Sequence, residues 1–189
     1  MIKLTAFLGN PGKTYAKTRH NIAWLLTQET PFTRHVRWKK KFQGRYAEKI
    51  IVGEKCIFLK PETYMNKSGE SVRASAQFFH INAQEVLVVH DDIELAFGQI
   101  AFKMDGGLAG HNGLRSIASA LGTRNFHRLR LGISQPPNSD VSSYVLRPFS
   151  SEEQEVLPRY LEKAAEALQY CLTEGIELAE KKYTKTMVL

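Results

Sequence analysis

Short hydrophobic runs, each of strand length, recur along the chain and predict the strands of a sheet. Residues 1–8 form the first run, and residues 85–89 form a continuous apolar run that is typical of a central strand covered on both faces. Alternating patterns and turn residues predict further strands at 46–52, 55–59, 99–103 and 126–133. The two strands joined through Gly53 are expected to form a hairpin.

Helical spacing of hydrophobic residues separates these strands. It predicts helices at 21–29, at 68–79, from Asn112 or Gly113 to Leu121, and from Ser151 onward. The last helix has one apolar stripe, so we expect it to pack on the sheet and to carry no chemistry. Residues 134–140 are expected to be a turn-rich connection, 141–149 an irregular segment, and 181–189 a basic, mobile tail.

The length of 189 residues suits one well-buried domain, which we expect to span residues 1–189. The net charge of +7 favours a polyanionic partner. At residues 34–49, basic side chains interleave with Trp38, Phe42 and Tyr46. This segment is either a solvated face that its aromatic residues anchor to the core or a patch that binds a polyanion, and the sequence supports both interpretations equally.

The two cysteines, Cys56 and Cys171, lie in hydrophobic contexts and lack the spacing of metal ligands. Buried free thiols suit a reducing cytoplasm. The N-terminus lacks the pattern of a signal peptide, and no apolar run approaches the roughly 18 residues of a membrane span. We therefore expect a soluble cytoplasmic protein that does not associate with membranes.

The first candidate site follows the first strand, which ends in a sharp turn through Gly9 to Gly12. Open α/β sheets collect ligands beyond the carboxyl ends of their strands. That edge would present Asn10, Tyr15, His20 and Asn21, and the His20 imidazole is a candidate base because it titrates near neutral pH.

The same stretch contains GKT at residues 12–14, which is similar to part of the phosphate-binding loop of nucleotide hydrolases. The first glycine of that loop is replaced by Phe7, and Pro11 lacks a backbone N–H for a phosphate. A nucleotide hydrolase is therefore the weakest of the alternatives.

Two later loops carry further candidate groups. The run at 85–89 leads into Asp91, which could ligate a metal ion or orient an imidazole; without a phosphate loop we favour the orienting role. Four glycines within Gly106 to Gly113 either let the backbone approach a ligand or form a flexible loop capped by Asn112. Composition alone slightly favours the flexible loop capped by Asn112.

Four stretches resemble the bacterial peptidyl-tRNA hydrolase family, in this order and at plausible spacings. They are GNPGKTYAKTRHN, KPETYMNKSG, VVHDDIELAFG, and GGLAGHNGLRSI followed by FHRLRLGI. The four together carry the resemblance, which extends from the first strand to about Ile133, and the C-terminal helix is compatible with it.

The resemblance implies a single α/β domain with a mixed, mainly parallel twisted sheet between helices. It implies an enzyme that cleaves the ester joining a nascent peptide to the tRNA ribose. The family pattern matches at Asn10, His20, Met65, Asn66, Asp91, His111 and Asn112, which would form the active-site crevice. It also implies that Lys103 and Arg130, placed at the ends of two strands beside the glycine loop, clamp a tRNA phosphate. We expect a monomer with peptidyl-tRNA as partner and with no metal or cofactor.

The side chains suggest how such an ester would be cleaved. A neutral His20 whose other nitrogen is bonded to Asp91 can take a proton from water, so no Ser or Cys nucleophile is needed. Asn10, Asn66 and Asn112 can hold peptide groups and ester or oxyanion oxygens without adding charge. Of these, Asn10 is predicted to be catalytic together with His20 and Asp91. Met65, Tyr15 and Tyr64 are expected to shape the pocket wall.

The chain departs from the family pattern in the glycine loop, where Leu108 replaces the usual first histidine and Asp105 lies close to Lys103. Leu108 is expected to weaken polar contacts at the crevice rim, and Asp105 to neutralise part of the phosphate clamp. Both departures bear on tRNA affinity more than on catalysis. The alternative is a non-catalytic RNA-binding protein on the same fold, which would be expected to lack His20, Asp91 or the asparagines.

Overall fold

The computed structural model describes residues 1–136 and 140–189, and these build an eight-stranded sheet. The strands are β1 (Leu4–Phe7), β2 (Lys39–Lys41), β3 (Gly44–Ile51), β4 (Glu54–Pro61), β5 (Val86–Asp92), β6 (Gln99–Met104), β7 (His127–Gly132) and β8 (Thr186–Met187). Their order in space is β2-β3-β4-β1-β5-β7-β6-β8. The pairings β4-β1, β1-β5 and β5-β7 are parallel, and those nearer the edges are antiparallel. The predicted mixed sheet is confirmed, with its parallel pairings at the centre.

Helices pack on both faces of this sheet. The α-helices of the described segments are α1 (Ile22–Leu26), α2 (Ser68–Phe79), α3 (Asn112–Leu121), α4 (Val141–Val145), α5 (Ser151–Glu174) and α6 (Ile176–Lys182). Short 3-10 turns at Arg19–Asn21 and Met65–Lys67 lead into α1 and α2. Within the described segments, no helix is both long enough and apolar enough to cross a membrane.

Alternation along the strands divides the hydrophobic core between the two faces of the sheet. Leu87 and Val89 of β5 face the core that includes side chains of α1 and α5. Val86 and Val88 face the opposite core, which includes side chains of α2 and α3. Every residue of β5 is buried, so the prediction of a central strand covered on both faces is confirmed.

The segment 141–149 was expected to be irregular, but the structure places α4 at its start. Asp140 caps this short helix by accepting the backbone N–H of Ser143 at 3.0 Å. The capped helix is too short to show a hydrophobic period, so its pattern could not reveal it. Of the predicted connection at 134–140, residues 137–139 lie outside the described residues.

Residues 181–189 were expected to be a mobile basic tail, but the structure places part of this segment in a helix and a strand. Lys181 and Lys182 lie in α6, and β8 pairs antiparallel with β6. Without β8, the strand β6 would leave the backbone groups of its outer edge unpaired. Next to this pairing, the N–H of Val188 donates to the carbonyl of Gly98. The end of the chain therefore extends the sheet.

The sheet face that packs against α2 and α3 becomes polar towards the carboxyl end of β5. We call this polar part of the face the polar floor; it is formed by His90, Asp92, Lys103, Arg128 and Arg130. Beyond its valines, the same side of β5 presents His90 and Asp92. β7 places Arg130 opposite His90, and β6 places Lys103 opposite Arg128. Strand register therefore brings together five polar side chains from three strands.

Candidate active site

A cavity of about 260 Å³ lies where the loops after β1, β4 and β5 meet the glycine loop. Ten of the predicted site residues line it: Asn10, His20, Tyr64, Met65, Asn66, Asp91, Lys103, His111, Asn112 and Arg130. Tyr15 does not join the described residues that line the cavity. It is half-buried within a largely exposed 3-10 turn at Lys13–Tyr15.

His20 lies in the 3-10 turn before α1, and its ring is bound to the end of β5. Nδ1 lies 2.8 and 2.9 Å from the two carboxylate oxygens of Asp91, and both side chains are buried. Against an ionised carboxylate, Nδ1 carries the ring proton and donates it, which leaves the lone pair of Nε2 as an acceptor. The expected His20–Asp91 contact is present, in the tautomer that suits a general base.

Arg19 anchors the turn that carries His20. Its buried guanidinium donates to the carbonyl of Pro148 at 2.6 Å and pairs with Glu153, in the first turn of α5, at 2.5 Å. It also lies 4.3 Å from the ring centroid of Tyr144. Arg19 was not predicted to support the site, because its hydrogen-bond partners lie 129 and 134 residues further along the chain.

The contact between His20 and Asp91 changes the protonation of both groups. Burial lowers the pKa of His20, but the charge and hydrogen bond of Asp91 outweigh burial and raise that pKa above its ordinary value. Burial raises the pKa of Asp91, whereas His20 and His111 together hold it well below its usual range. Asp91 is therefore a carboxylate at neutral pH, and it stabilises the imidazolium form of His20.

His111 is a second imidazole bound to Asp91. Its Nε2 lies 3.0 Å from Oδ1 of the carboxylate. Its Nδ1 accepts the backbone N–H groups of Gly113 and Leu114 at 3.1 and 3.3 Å, so His111 is the N-cap of α3. The interpretation of the glycine loop as capped by Asn112 is therefore wrong, because the imidazole one residue earlier reaches the free N–H groups of the first turn.

His20, Asp91 and His111 also place three ligand-type atoms within 4.8 Å of one another. The hydrogen bonds of His111 do not suit a metal ion, because Nδ1 accepts two N–H groups and the ring proton is therefore on Nε2, facing Asp91. A metal ligand needs an unprotonated Nε2, and the displaced proton would have to sit on Nδ1 against two donors. This donor set fits hydrogen bonding better than metal binding.

Asn10 is held in place by its neighbours. Asn21 accepts the Asn10 N–H at 2.8 Å and donates to the Asn10 carbonyl at 2.9 Å. Oδ1 of Asn10 accepts the N–H of Met65 at 2.8 Å, so its side-chain NH₂ is the group available to a ligand. Asn21 was expected beside His20 at this edge of the sheet, but no role was predicted for its side chain.

Met65 forms the apolar wall next to these amides. A Cβ at Gly113 would meet the Met65 Sδ at 2.6 Å, so a glycine there allows the first turn of α3 to approach this loop. Tyr64, Asn66 and Asn112 line the cavity as exposed side chains that a ligand can reach.

The other end of the cavity is cationic, with Lys103, Arg128 and Arg130 in its lining. The buried Arg130 places Nε 2.7 Å from Asp92 and Nη2 3.0 Å from Glu94. Its expected position at a strand end is corrected, because it lies within β7 and the register sets it beside β5. Two carboxylates already share its charge.

Arg128 holds the glycine loop over this end of the cavity, a role that the sequence did not predict. It donates to the carbonyl of Gly107 at 2.8 Å and to the carbonyl of Asp105. Gly106 has a φ of 94°, and a Cβ there would meet the Lys103 Cε at 2.9 Å. Because only glycine adopts this conformation readily, the loop can lie directly against Lys103.

The two departures from the family pattern lie in this loop. Leu108 lines the cavity and packs against the core beside α3, so it supplies apolar wall where a histidine would supply a polar group. The side chain of Asp105 is exposed, on a residue with a φ of 57°. The expected effect of Asp105 on phosphate binding stays a prediction.

The basic segment at 34–49 contains the exposed edge strand β2, and Trp38, Phe42 and Tyr46 pack against the two cores. This packing is what a solvated face anchored by aromatic residues requires. Lys41 Nζ lies 3.4 Å from the ring centroid of the exposed Phe78. Binding of a polyanion by this segment stays a prediction.

Comparison with known proteins bears on the whole chain. The profile of the family described as Peptidyl-tRNA hydrolase matches residues 4–188. The chain is 44% identical over 182 residues to a peptidyl-tRNA hydrolase of Dichelobacter nodosus, covering 95% of this chain and 96% of that protein. It is 41% identical to a peptidyl-tRNA hydrolase of Listeria monocytogenes, covering 95% and 98% of the two chains. The crystal structure of a peptidyl-tRNA hydrolase from Acinetobacter baumannii superimposes with a TM-score of 0.90 at 34% identity, covering 100% and 97% of the two chains.

Proposed function

The chain belongs to the peptidyl-tRNA hydrolase family, and we propose that it hydrolyses peptidyl-tRNA with His20 as the general base. The bond cleaved is the ester between the peptide and the tRNA ribose, and free tRNA is released for reuse in translation. One observation carries the mechanism: His20 is fixed through Nδ1 by both oxygens of Asp91, and its Nε2 is left as an acceptor in an amide-lined cavity.

In the reaction, Nε2 of His20 takes a proton from a water molecule as the water oxygen attacks the ester carbonyl carbon. The imidazolium that forms is stabilised by Asp91, which holds the ring orientation and keeps its own negative charge. The tetrahedral intermediate then collapses and expels the ribose oxygen, which takes the proton back from His20. No nucleophilic side chain and no metal ion is required by this sequence of steps.

The amides around His20 bind the peptide end of the substrate. The NH₂ group of Asn10 is available because its Oδ1 and its backbone are already hydrogen-bonded to Met65 and Asn21. Asn66 and Asn112 lie exposed in the same lining, where they can donate to an ester or oxyanion oxygen. Neutral donors suit this task, because a fixed positive charge beside His20 would lower its basicity.

The cationic end of the cavity binds a phosphate of the tRNA. Lys103 carries the charge that is most available, since Arg130 is paired with Asp92 and Glu94 and Arg128 is bound to loop carbonyls. Phosphate contacts of this kind position a nucleic acid without taking part in the chemistry. The enzyme is proposed to act as a monomer in the cytoplasm, without a metal ion or cofactor.

The proposal is tested by incubating the protein with N-acetylaminoacyl-tRNA and with unblocked aminoacyl-tRNA, each with and without a chelator. We expect rapid release of tRNA from the blocked substrate, slow release from the unblocked one, and no effect of the chelator. Binding of the blocked substrate without release would identify a non-catalytic RNA-binding protein. Loss of activity with the chelator and its recovery with a divalent ion would make Asp91 a metal ligand.

A further inference from the structure

Asp91 accepts hydrogen bonds from two imidazoles, and the proposed mechanism uses only one of them. Its Oδ1 lies 2.8 Å from Nδ1 of His20 and 3.0 Å from Nε2 of His111. The two rings are also neighbours, with centroids 5.0 Å apart. The charge of one carboxylate is therefore divided between a base and a second donor.

The second donor is fixed by the fold. Nδ1 of His111 accepts from the N–H groups of Gly113 and Leu114 at the start of α3. A nitrogen that accepts two N–H groups cannot also carry a proton, so the proton of this ring stays on Nε2. His111 is thus a permanent N–H donor to Asp91, held in that tautomer by the N-terminus of a helix.

Other titratable and charged groups nearby are engaged elsewhere. His90 packs against His111 with ring centroids 5.0 Å apart, and burial lowers the pKa of His90 to about 3, so it is uncharged at neutral pH. Asp92 is paired with Arg130 on the polar floor. Arg19, beside His20 in sequence, is paired with Glu153. On α3, Arg115 donates to the Oδ1 of Asn112.

We propose that His111 is a positioning residue that takes part of the Asp91 charge and thereby keeps His20 unprotonated, and able to act as a base, at neutral pH. This inference rests on the proposed function of His20. A carboxylate whose one hydrogen-bond partner is an imidazole favours the imidazolium form of that ring. A second N–H donor to the same carboxylate reduces this preference. Asp91 must orient His20 without keeping it protonated. The N–H of His111 therefore weakens the pull of Asp91 on the second proton of His20.

Two substitutions separate this role from the capping of α3. His111→Asn keeps an effective N-cap but is too short to reach Asp91, whereas His111→Gln is long enough to donate to Asp91 but is a poorer cap. In the Asn variant we expect the acid limb of the kcat/KM profile to move about half a unit to one unit towards higher pH, which is the size of the ordinary net contribution of one hydrogen bond. In the Gln variant the limb should stay at the parent position, even if the protein melts earlier.

The carboxylate is the proposed link, so its removal should abolish the effect. In an Asp91→Asn background, a second change of His111→Asn should leave the acid limb where the single Asp91→Asn variant has it. A further shift in the double variant would show that His111 acts on His20 by another route, and would overturn the proposal.

Imidazole NMR of the free protein gives a test that needs no substrate. The His20 ring should titrate at higher pH in His111→Asn than in the parent or in His111→Gln. If His20 titrates identically in all three proteins, the proposal is wrong whatever the substrate. If it shifts as expected but peptidyl-tRNA is not cleaved, only the proposed function fails.

Discussion

The two ends of the cavity hold charge in opposite ways. At the His20 end, one buried carboxylate binds two imidazoles, and neutral amides line the same part of the cavity. At the other end, Lys103, Arg128 and Arg130 outnumber the two carboxylates that Arg130 contacts.

This difference separates chemistry from binding. A base needs a defined tautomer and a pKa near the working pH, which the first end supplies through hydrogen bonds. A phosphate needs positive charge and tolerates imprecise geometry, which the second end supplies through cations on a polar floor. Changes at the first end should therefore lower kcat, and changes at the second should raise KM.

The largest effect is expected for His20→Ala. A positioned base contributes roughly 10²- to 10⁴-fold, so kcat for a blocked aminoacyl-tRNA should fall by that factor while binding of the substrate largely survives. Single-turnover kinetics and a binding titration measure the two quantities separately. Undiminished turnover in the purified, folded variant would remove His20 from the mechanism.

Asp91→Asn should have a smaller but still large effect, on the order of 10²-fold in kcat, because the ring loses its orientation and the imidazolium its stabilisation. The sign of the pH effect is fixed by the structure. Asp91 raises the pKa of His20, so its removal should move the acid limb of the rate profile to lower pH. A limb that moves to higher pH would contradict this assignment.

At the cationic end, Lys103→Ala should raise KM for peptidyl-tRNA by about tenfold with little change in kcat, and should lower the salt dependence of binding by about one ionic contact. Arg130→Ala should also raise KM. Because it leaves the buried Asp92 without its cationic partner, it should destabilise the fold as well, by about 3–5 kcal/mol. Lys103 is therefore the cleaner position, and an unaltered salt slope in Lys103→Ala would show that it does not meet a phosphate.

The smallest effect is expected for Asp105→Gly. The Asp105 side chain is exposed beside the cationic end, so its removal should tighten tRNA binding by about two- to threefold at low salt, with less gain at high salt. The backbone should tolerate the change, because a φ of 57° suits glycine. Weaker binding of tRNA by this variant would mean that Asp105 supports the loop in some other way.

The sequence predicted the His20 end better than the cationic end, and the reason is geometric. The apolar run of β5 and the turn after β1 predict where two strands end. The carboxyl ends of parallel strands meet at one edge of the sheet. His20, Asp91 and Asn10 could therefore be placed together from local patterns. The cap formed by His111 could not, because it depends on how closely α3 approaches the end of β5.

At the cationic end, the alternating pattern of β7 predicted that its arginines lie on a polar side of the strand. It did not predict which groups they contact. The pairing of Arg130 with Asp92 spans 38 residues and follows from strand register, which the sequence does not specify. The two-residue strand β8 has no periodic pattern of its own and forms only because β6 offers a free edge. Long-range pairing, not local propensity, is what the sequence left open.

The most direct test of the division between chemistry and binding compares His20→Ala and Lys103→Ala on two substrates. One is N-acetylaminoacyl-tRNA, and the other is a short blocked aminoacyl ester that lacks the tRNA body. The account predicts that His20→Ala loses turnover on both, whereas Lys103→Ala loses kcat/KM on the tRNA substrate and behaves as the parent on the short ester. Equal losses of the Lys103 variant on the two substrates would contradict it, because Lys103 would then support the catalytic end of the cavity itself.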